Sequence, residues 1–321
     1  AGSVVRVTNG VSLQVAGGTD SKKPPLEFSF DKVLGPRARQ SDVWSLCKPM
    51  ITSVVDGYNV TIFAYGQTGS GKTHTMSGGG GTSDDGEGVI PRSIRELFEV
   101  LEAKEEFYEF SVECYFVELY VDKLKDLFAP KIRGAEAEKL TIHMDSQKMV
   151  YVKNATVHVV PDAETLISLW SEGDSGRSVG ATLLNDRSSR SHSSLCVVVR
   201  TKNRATGATT RAKISLIDLA GSERVKKSGV SGPGLQEAAS INKSLSSLSN
   251  VISSLSNASR HVPYRDSALT RLMQDSLGGN SKTLMLVMVP PGRVNLEETL
   301  MSLHYAARAR LITNRSVKGE E

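Results

Sequence analysis

The residues with the clearest chemistry lie in the stretch NVTIFAYGQTGSGKTHTM, residues 59–76. It begins with a strand-like run, and residues 66–73, GQTGSGKT, then match the pattern G-x-x-x-x-G-K-[ST] at every position. The glycines let the backbone turn tightly, so that successive N–H groups point at a polyphosphate. Lys72 can reach the β- and γ-phosphates, and the hydroxyl of Thr73 can ligate Mg²⁺. The pattern therefore predicts a nucleoside triphosphate site formed by Gly66, Gln67, Thr68, Gly69, Ser70, Gly71, Lys72 and Thr73.

Two further polar stretches follow along the chain. Asp218 ends the apolar run KISLI, and an aspartate at the end of a buried strand is where a second Mg²⁺ carboxylate of such a site lies. Gly221 can offer its N–H to a γ-phosphate and move when that phosphate leaves. Residues 185–192, NDRSSRSH, place hydroxyls, guanidinium groups and an imidazole before a strand. Taken singly, both stretches keep a simpler interpretation, a turn cap for Asp218 and a solvated polar turn for residues 185–192.

Strand-like and helical patterns alternate around these loops. The alternation predicts an α/β fold with a mostly parallel sheet and helices on both faces, in one domain of residues 1–321. Helical spacing or start signals are found at 41–55, 91–106, 161–172, 240–257, 267–276 and 296–312, with a helical turn at 122–128. Strand patterns are found at 4–7, 12–15, 26–30, 60–65, 107–120, 195–201, 214–219 and 283–289, with two or three short strands within 140–160.

Composition excludes several classes of protein. The 321 residues contain no run of about 18 apolar residues and no signal-peptide pattern at the N-terminus. The three cysteines, Cys47, Cys114 and Cys196, are scattered without zinc spacing, which favours buried reduced thiols. A net charge of +4 permits an acidic partner without requiring one.

Together and in this order, the three polar stretches resemble the kinesin motor domain. They are similar to its phosphate loop, its first switch N-x-x-S-S-R-S-H and its second switch D-L-A-G-S-E. The resemblance extends through GVIPRS, INKSLSSL, HVPYRDSALTRLMQDSLGGNSKTLM and ETLMSLHYAARAR, which is nearly the whole chain. It implies the kinesin fold of P-loop nucleoside triphosphatases. It also implies a microtubule motor of the cytoplasmic cytoskeleton that hydrolyses ATP with Mg²⁺.

The resemblance also implies roles for single residues. Arg190 would pair with Glu223 when the site closes, which aligns a water for in-line attack and lets its proton pass through water to Glu223. His74 matches a position that lies against the adenine, although an ordinary partly buried histidine is the alternative. The implied metal ligands are Thr73, Ser189 and Asp218, and the implied catalytic residues are Ser189, Arg190, Gly221 and Glu223.

A microtubule-binding surface is implied as well. Tubulin presents an acidic face, and in kinesins the helix that corresponds to residues 240–256 lies in the groove between tubulin subunits. Ala268 stands where kinesins usually carry a lysine, which predicts weaker binding than is typical. Ordinary solvated charges are the alternative, most of all for Lys148. The implied contact residues are Lys148, Lys153, Lys226, Lys227, Arg260, Arg265 and Arg271.

The chain departs from the family pattern in other places. Nothing in it matches the R-x-R-P strand with which kinesins begin, and Val121-Asp122 replaces the usual N-E. The chain stops soon after Asn314, so we expect no stalk in it, and a dimer would form only through such a stalk. DGYNV, RVKKSG and NVISSLS are most similar to the C-terminal, minus-end-directed subfamily, in particular its plant-type calmodulin-binding members. A calmodulin-like regulator is therefore left open.

Two other functions compete with the motor ATPase. One is a kinesin-like module that binds microtubules with weak or no turnover, and the presence of every switch residue argues against it. The other is an unrelated P-loop switch or nucleic-acid ATPase. The sequence has no aromatic and basic groove for single strands, so nucleic acid is not an expected partner. Because it has no run of about 18 apolar residues, a membrane is not an expected partner either.

Overall fold

The computed structural model describes residues 2–17, 24–79, 86–130, 138–178, 189–223 and 233–320. For Ser178 and for residues 233–238 it describes the backbone alone. All structural statements below concern these residues.

The centre of the fold is a seven-stranded sheet in the order β12-β4-β11-β10-β5-β6, with β9 also paired to β5. Every residue of strand β4, which lies between β12 and β11, is buried, as the apolar run in the sequence predicts. The strands are β4 Asn59–Tyr65, β5 Tyr108–Tyr120, β6 Lys123–Asp126, β9 His158–Val159, β10 His192–Asn203, β11 Thr209–Asp218 and β12 Ser281–Val287.

This sheet is mixed, so the prediction of a mostly parallel sheet is wrong. β4 runs parallel to β11 and to β12, whereas β10 pairs antiparallel with both β11 and β5. The physical reason is the connection between strands. A short turn over residues 204–208 joins β10 to β11, and a turn of that length can only produce an antiparallel pair.

Helices cover both faces of the sheet, as predicted. Successive residues of β4 point to opposite faces, so Ile62 packs against one group of helices and Phe63 against the other. The first group is α1 Gln40–Val55, α3 Val89–Glu102 and α4 Ala163–Ser178. The second group is α5 Pro233–Ser256, α6 Ala268–Leu272 and α7 Leu296–Ala309, and the short α2 Lys72–Met76 follows β4.

Two smaller sheets flank the central one. Both consist of antiparallel strands, at positions where the sequence predicts short strands. The first sheet contains β1 Val5–Val7, β2 Ser12–Val15 and β3 Leu26–Ser29, and the second contains β7 Thr141–Met144 and β8 Val150–Lys153.

The helical turn predicted at residues 122–128 is wrong. This segment forms β6, which pairs antiparallel with the end of β5. A two-residue turn joins the two strands, and both of its residues have positive φ, 50° at Val121 and 58° at Asp122. A turn with positive φ at both residues matches the twist of a β-hairpin. Asn-Gly and Asp-Gly are the dipeptides that predict such a turn, so Val-Asp gave no indication of it.

One prediction from composition is confirmed for the described residues. The three cysteines are free and buried, and burial raises the pKa of the Cys47 and Cys114 thiols to about 12. No helix in the described ranges is long and apolar enough to cross a bilayer.

A buried ion pair joins the β7–β8 hairpin to the central sheet. Lys213 of β11 donates to a carboxylate oxygen of Asp275 over 2.7 Å and to the carbonyl of Val150 over 2.6 Å. The same carboxylate oxygen accepts the Val150 N–H over 2.8 Å. Both charged side chains are at most 4% exposed, so each of them relies on the other for compensation.

We expect Asp275→Ala to lower the free energy of unfolding by about 3–5 kcal/mol, because it leaves the Lys213 ammonium buried without its counter-charge. The exposed pair between Arg204 and Glu109 provides the control, since Glu109→Ala should cost at most about 1 kcal/mol. Urea denaturation of both variants measures the difference. A loss in Asp275→Ala no larger than that in Glu109→Ala would contradict the assigned role.

Candidate nucleotide site and partner surface

The phosphate loop leaves the end of β4 through two glycines whose backbone angles other residues rarely adopt. Gly66 has a φ of 151°, and a Cβ there would lie 2.3 Å from the carbonyl oxygen of Met288. Gly71 has a φ of 105° and precedes the first residue of α2. The backbone therefore turns where the sequence predicts, and it directs Lys72 and Thr73 toward the neighbouring strand β11.

Thr73 and Asp218 meet at the carboxyl ends of two parallel strands. Asp218 is the last residue of β11 and is in register with Ala64 of β4. The Thr73 hydroxyl donates to one carboxylate oxygen of Asp218 over 2.7 Å. The other oxygen, Oδ1, is buried and has no hydrogen-bond partner within the described ranges. Burial raises the pKa of Asp218, although the bond from Thr73 opposes that rise.

The Lys72 side chain lies back over its own loop. It is 6% exposed, and its ammonium donates to the carbonyl of Gln67 over 3.0 Å. Burial lowers the pKa of Lys72, and the carboxylates of Asp218 and Glu223 oppose that change. A buried cation is therefore held beside two acidic groups at the mouth of the loop.

The three polar stretches of the sequence come together in space. The N–H of Gly221 donates to the carbonyl of Ser189 over 2.9 Å, and the N–H of Ser222 donates to the carbonyl of Gly66 over 3.1 Å. A Cβ on Gly221 would lie 2.1 Å from the hydroxyl of Thr68, so the close approach requires glycine. The phosphate loop and both switch segments are therefore in direct contact through these backbone bonds.

The Glu223 carboxylate binds the phosphate loop. Its two oxygens accept the N–H of Thr68 over 2.7 Å and the hydroxyl of Thr68 over 2.6 Å. Both are donors that a phosphate loop turns toward an anion, and a carboxylate occupies them here. The pairing of Glu223 with Arg190 was expected for a closed site, and it stays a prediction.

His74 lies on α2 and is held by a residue that sequence reasoning missed. The buried amide of Gln40, the first residue of α1, lies 3.2 Å from His74 Nδ1 and donates to the His74 carbonyl over 2.6 Å. The exposed imidazole lies beside Gly79. Gln40 precedes His74 by 34 positions, so no local pattern could have revealed this contact.

A buried guanidinium behind the site was also missed. Arg177 of α4 donates to Asp174 over 2.9 Å and to the hydroxyl of Ser193 over 2.8 Å, and its Nε lies 3.9 Å from Glu118. Arg177 is 3% exposed, and its charge helps to lower the pKa of Asp218 against the effect of burial. Only the fold brings α4, β5 and β10 together around this arginine.

The predicted partner residues divide into two groups. Lys226 and Lys227 lie outside the described residues. The other five are exposed, and they lie on the β7–β8 hairpin or in the segment from the end of α5 to α6: Lys148, Lys153, Arg260, Arg265 and Arg271.

These two elements are in contact. Arg271 of α6 donates to the carbonyl of Ile142 in β7 over 2.8 Å, and α6 also packs against β8 and α5. At the start of α6 the N–H of Ala268 donates to the Asp122 carboxylate over 2.8 Å. The two departures from the family pattern, at Asp122 and at Ala268, therefore touch each other.

The fold and the meeting of these loops at the ends of β4 and β11 define the class, that of P-loop nucleoside triphosphatases. The family model described as the kinesin motor domain matches residues 4–312. The chain belongs to the kinesin motor domain family.

Individual relatives agree with this assignment. The chain is 49% identical over 285 residues to kinesin-like protein KIN-14E of Arabidopsis thaliana, which is 89% of this chain and 22% of that protein. It is 48% identical to kinesin-like protein KIN-14I of Oryza sativa subsp. japonica, over 90% of this chain and 23% of that protein. The chain thus spans less than a quarter of the length of these relatives.

A solved structure of a fast kinesin, described with implications for ATPase mechanism and interactions with microtubules, superposes with a TM-score of 0.89 at 38% identity. The superposition covers 100% of this chain and 88% of that one. The predicted kinesin fold is confirmed, and so is the predicted similarity to the C-terminal subfamily, because the plant relatives are KIN-14 proteins. The narrower similarity to calmodulin-binding members stays a prediction.

Proposed function

We propose that this chain is a microtubule-stimulated ATPase motor domain, in which ATP hydrolysis drives movement or force on microtubules. The observation that carries the proposal is the junction of Thr73 with Asp218 over 2.7 Å, beside the contact of Glu223 with Thr68. It supports the proposal because phosphoryl transfer depends on a phosphate loop, a metal-binding carboxylate and a switch segment that act on the same phosphate.

The nucleotide would lie along the phosphate loop. Its phosphates would accept from the backbone N–H groups of residues 66–73 and from Lys72, and its adenine would lie against His74. Binding would displace the Glu223 carboxylate from Thr68, because both compete for the same donors. The second switch would thereby respond directly to the nucleotide.

The residues present also fit Mg²⁺, a cation that prefers oxygen ligands. The buried Oδ1 of Asp218 lacks a partner within the described ranges, and the Thr73 hydroxyl lies beside the same carboxylate. Thr73, Ser189 and Asp218 would hold the ion, with Asp218 acting through a water. When bound, Mg²⁺ would neutralise the charge that develops on the phosphates.

Hydrolysis itself would depend on positioning by the switches. Arg190 and Glu223 would pair over the bound nucleotide and orient a water in line with the γ-phosphate, and Glu223 would accept the proton through a second water. Gly221 would donate its N–H to the γ-phosphate. In the present structure that N–H is bonded to Ser189, so the donation requires the bond to Ser189 to break.

The partner would be the acidic face of tubulin, and the surface would comprise α5, residues 260–272 and the β7–β8 hairpin, together with Lys226 and Lys227. These elements belong to one motor domain that we propose to extend over residues 1–321. The protein would act on the microtubule cytoskeleton of the cytoplasm.

Steady-state ATP turnover with and without microtubules tests the proposal. We expect slow basal turnover and a large stimulation by microtubules. Microtubule binding without turnover would assign the chain to the alternative, a kinesin-like binding module. Turnover that does not respond to microtubules would point to an unrelated P-loop ATPase.

The partner surface makes its own prediction. Arg265→Glu with Arg271→Glu should keep basal turnover, because both residues lie outside the nucleotide loops, while microtubule affinity should fall about tenfold or more. The affinity should also decrease steeply with salt, since exposed charge pairs are screened. Co-sedimentation over a range of salt concentrations measures both effects.

Arg204→Glu, a single charge reversal in the turn between β10 and β11, is the control for each of the two substitutions made alone. Because Arg271 also bonds to Ile142, the thermal midpoint of the double variant must be compared with that of the parent protein. If the double variant still co-sediments as the parent protein does at physiological salt, the binding surface has been assigned wrongly.

A further inference from the structure

His192 is the last residue of the first-switch motif, and the mechanism above leaves it without a role. It begins β10 next to the nucleotide loops and is 4% exposed. Both ring nitrogens have partners, and the two partners belong to different parts of the molecule. Nδ1 lies 2.9 Å from the backbone nitrogen of Ala220, and Nε2 lies 3.0 Å from the hydroxyl of Ser244.

The bonds fix the tautomer of this histidine. Ala220 can only donate its N–H, so Nδ1 must accept and the ring proton must lie on Nε2. Nε2 therefore donates to Ser244, whose hydroxyl donates in turn to the carbonyl of Ile241 over 2.7 Å. Burial lowers the pKa of His192 to about 3, and Lys72 and Arg177 contribute to that decrease, so the ring stays neutral in this chain of bonds.

The two ends of this series of hydrogen bonds lie on the two elements that a motor must coordinate, the second switch and α5. Ala220 lies between Asp218 and Gly221, in the second switch beside the nucleotide loops. Ser244 lies on the buried side of α5, the helix assigned above to the partner surface. A displacement of the backbone at Ala220 would therefore pull on α5 through a rigid, fully bonded imidazole.

We propose that His192 is a positioning residue that couples the second switch to α5 through its bonds to Ala220 and Ser244. The coupling rests on the proposed function, because it has a consequence only if α5 contacts microtubules. Coupling between two sites is reciprocal, so the nucleotide should change microtubule affinity by the same factor by which microtubules change nucleotide affinity.

The chain offers a matched control on the same helix. Ser247 is also buried, at 6% exposure against 4% for Ser244, and its hydroxyl also donates to a carbonyl of its own helix, that of Lys243 over 2.9 Å. Within the described residues, the Ser244 hydroxyl also accepts a hydrogen bond from the imidazole of His192, whereas the Ser247 hydroxyl does not. Ser244→Ala and Ser247→Ala thus make the same chemical change, and alanine favours a helix at both positions.

The experiment measures the microtubule dissociation constant with ADP and with a non-hydrolysable ATP analogue, and takes the ratio of the two. In Ser244→Ala we expect this ratio to move toward one by about fivefold or more, the lower end of typical coupling between sites. In Ser247→Ala it should stay within about twofold of the parent ratio. A merely structural contribution of Ser244 would lower stability without changing this ratio.

A second variant, His192→Asn, breaks the same series of hydrogen bonds at the imidazole. In His192→Asn the amide oxygen can still accept from Ala220, but the shorter side chain cannot reach Ser244. We expect the same change in ratio as in Ser244→Ala, and no further change when both substitutions are combined. Thermal midpoints establish that each variant is folded.

The outcomes separate this inference from the proposed function. A parent protein whose microtubule affinity does not depend on nucleotide would overturn both. If the parent protein shows the dependence, a parent-like ratio in folded Ser244→Ala or His192→Asn overturns the coupling alone. An equal loss in Ser247→Ala also overturns it, because the effect would then belong to the helix in general.

Discussion

Lys72→Ala should reduce ATP turnover by roughly 100-fold or more, the loss expected when a charged group aimed at the reacting phosphates is removed. The ammonium is held at the loop by the carbonyl of Gln67 and lies near the carboxylates of Asp218 and Glu223. Burial makes the positive charge of Lys72 unfavourable in the absence of an anion. A bound phosphate would therefore interact more strongly with this ammonium than with that of a solvated lysine.

The measurement is steady-state turnover with saturating microtubules, together with the affinity for a fluorescent ATP analogue. Lys104→Ala is the control, because Lys104 lies outside the nucleotide loops and forms a partly exposed ion pair with Asp56. It should retain turnover within about twofold of the parent, in the range of an exposed ion pair. Turnover near the parent level in folded Lys72→Ala would refute the assignment of the phosphate site.

Glu223→Ala should reduce hydrolysis by about 100-fold or more while ATP still binds, because in the proposed mechanism Glu223 accepts the proton and pairs with Arg190. In the described structure this carboxylate holds Thr68 through two short bonds. Its removal frees donors that a phosphate can use, so affinity for the ATP analogue should be unchanged or higher. This combination separates a catalytic role from a binding role.

Arg190→Ala should cause a loss of similar size, and the double variant should lose little more than either single variant, because both break the same closure. The measurement is the single-turnover rate of hydrolysis of bound ATP in the two single variants and in the double variant. Glu102→Ala, which removes an exposed acid at the end of α3, is the control for loss of a negative charge. Losses that add in the double variant would show that Arg190 and Glu223 do not act as a pair.

Much of the site could be predicted from local sequence because its chemistry is local. The turns of the phosphate loop need glycine at particular backbone angles, and Lys72 and Thr73 follow at a spacing set by the loop. The apolar runs at β4 and β11 likewise predict buried strands, since a continuous run has no polar face to expose. Resemblance then supplied roles for Ser189, Arg190 and Glu223 that spacing alone could not.

The tertiary structure decided what depends on distant parts of the chain. Strand direction followed from how β10 connects to β11, and the hairpin at Val121 and Asp122 uses a turn without its usual residues. The contacts of Glu223 with Thr68 and of Lys213 with Asp275 join positions 155 and 62 residues apart.

By itself, the sequence determined the phosphate loop, the order of most elements and the family, because each depends on residues that are neighbours along the chain. It left open which polar groups become partners in the interior. A buried charge or imidazole is stable only when another element satisfies it, and the identity of that element depends on how the whole chain packs. His192 illustrates the difference, since the motif names the residue and only the packing of β10 against α5 places it against Ser244.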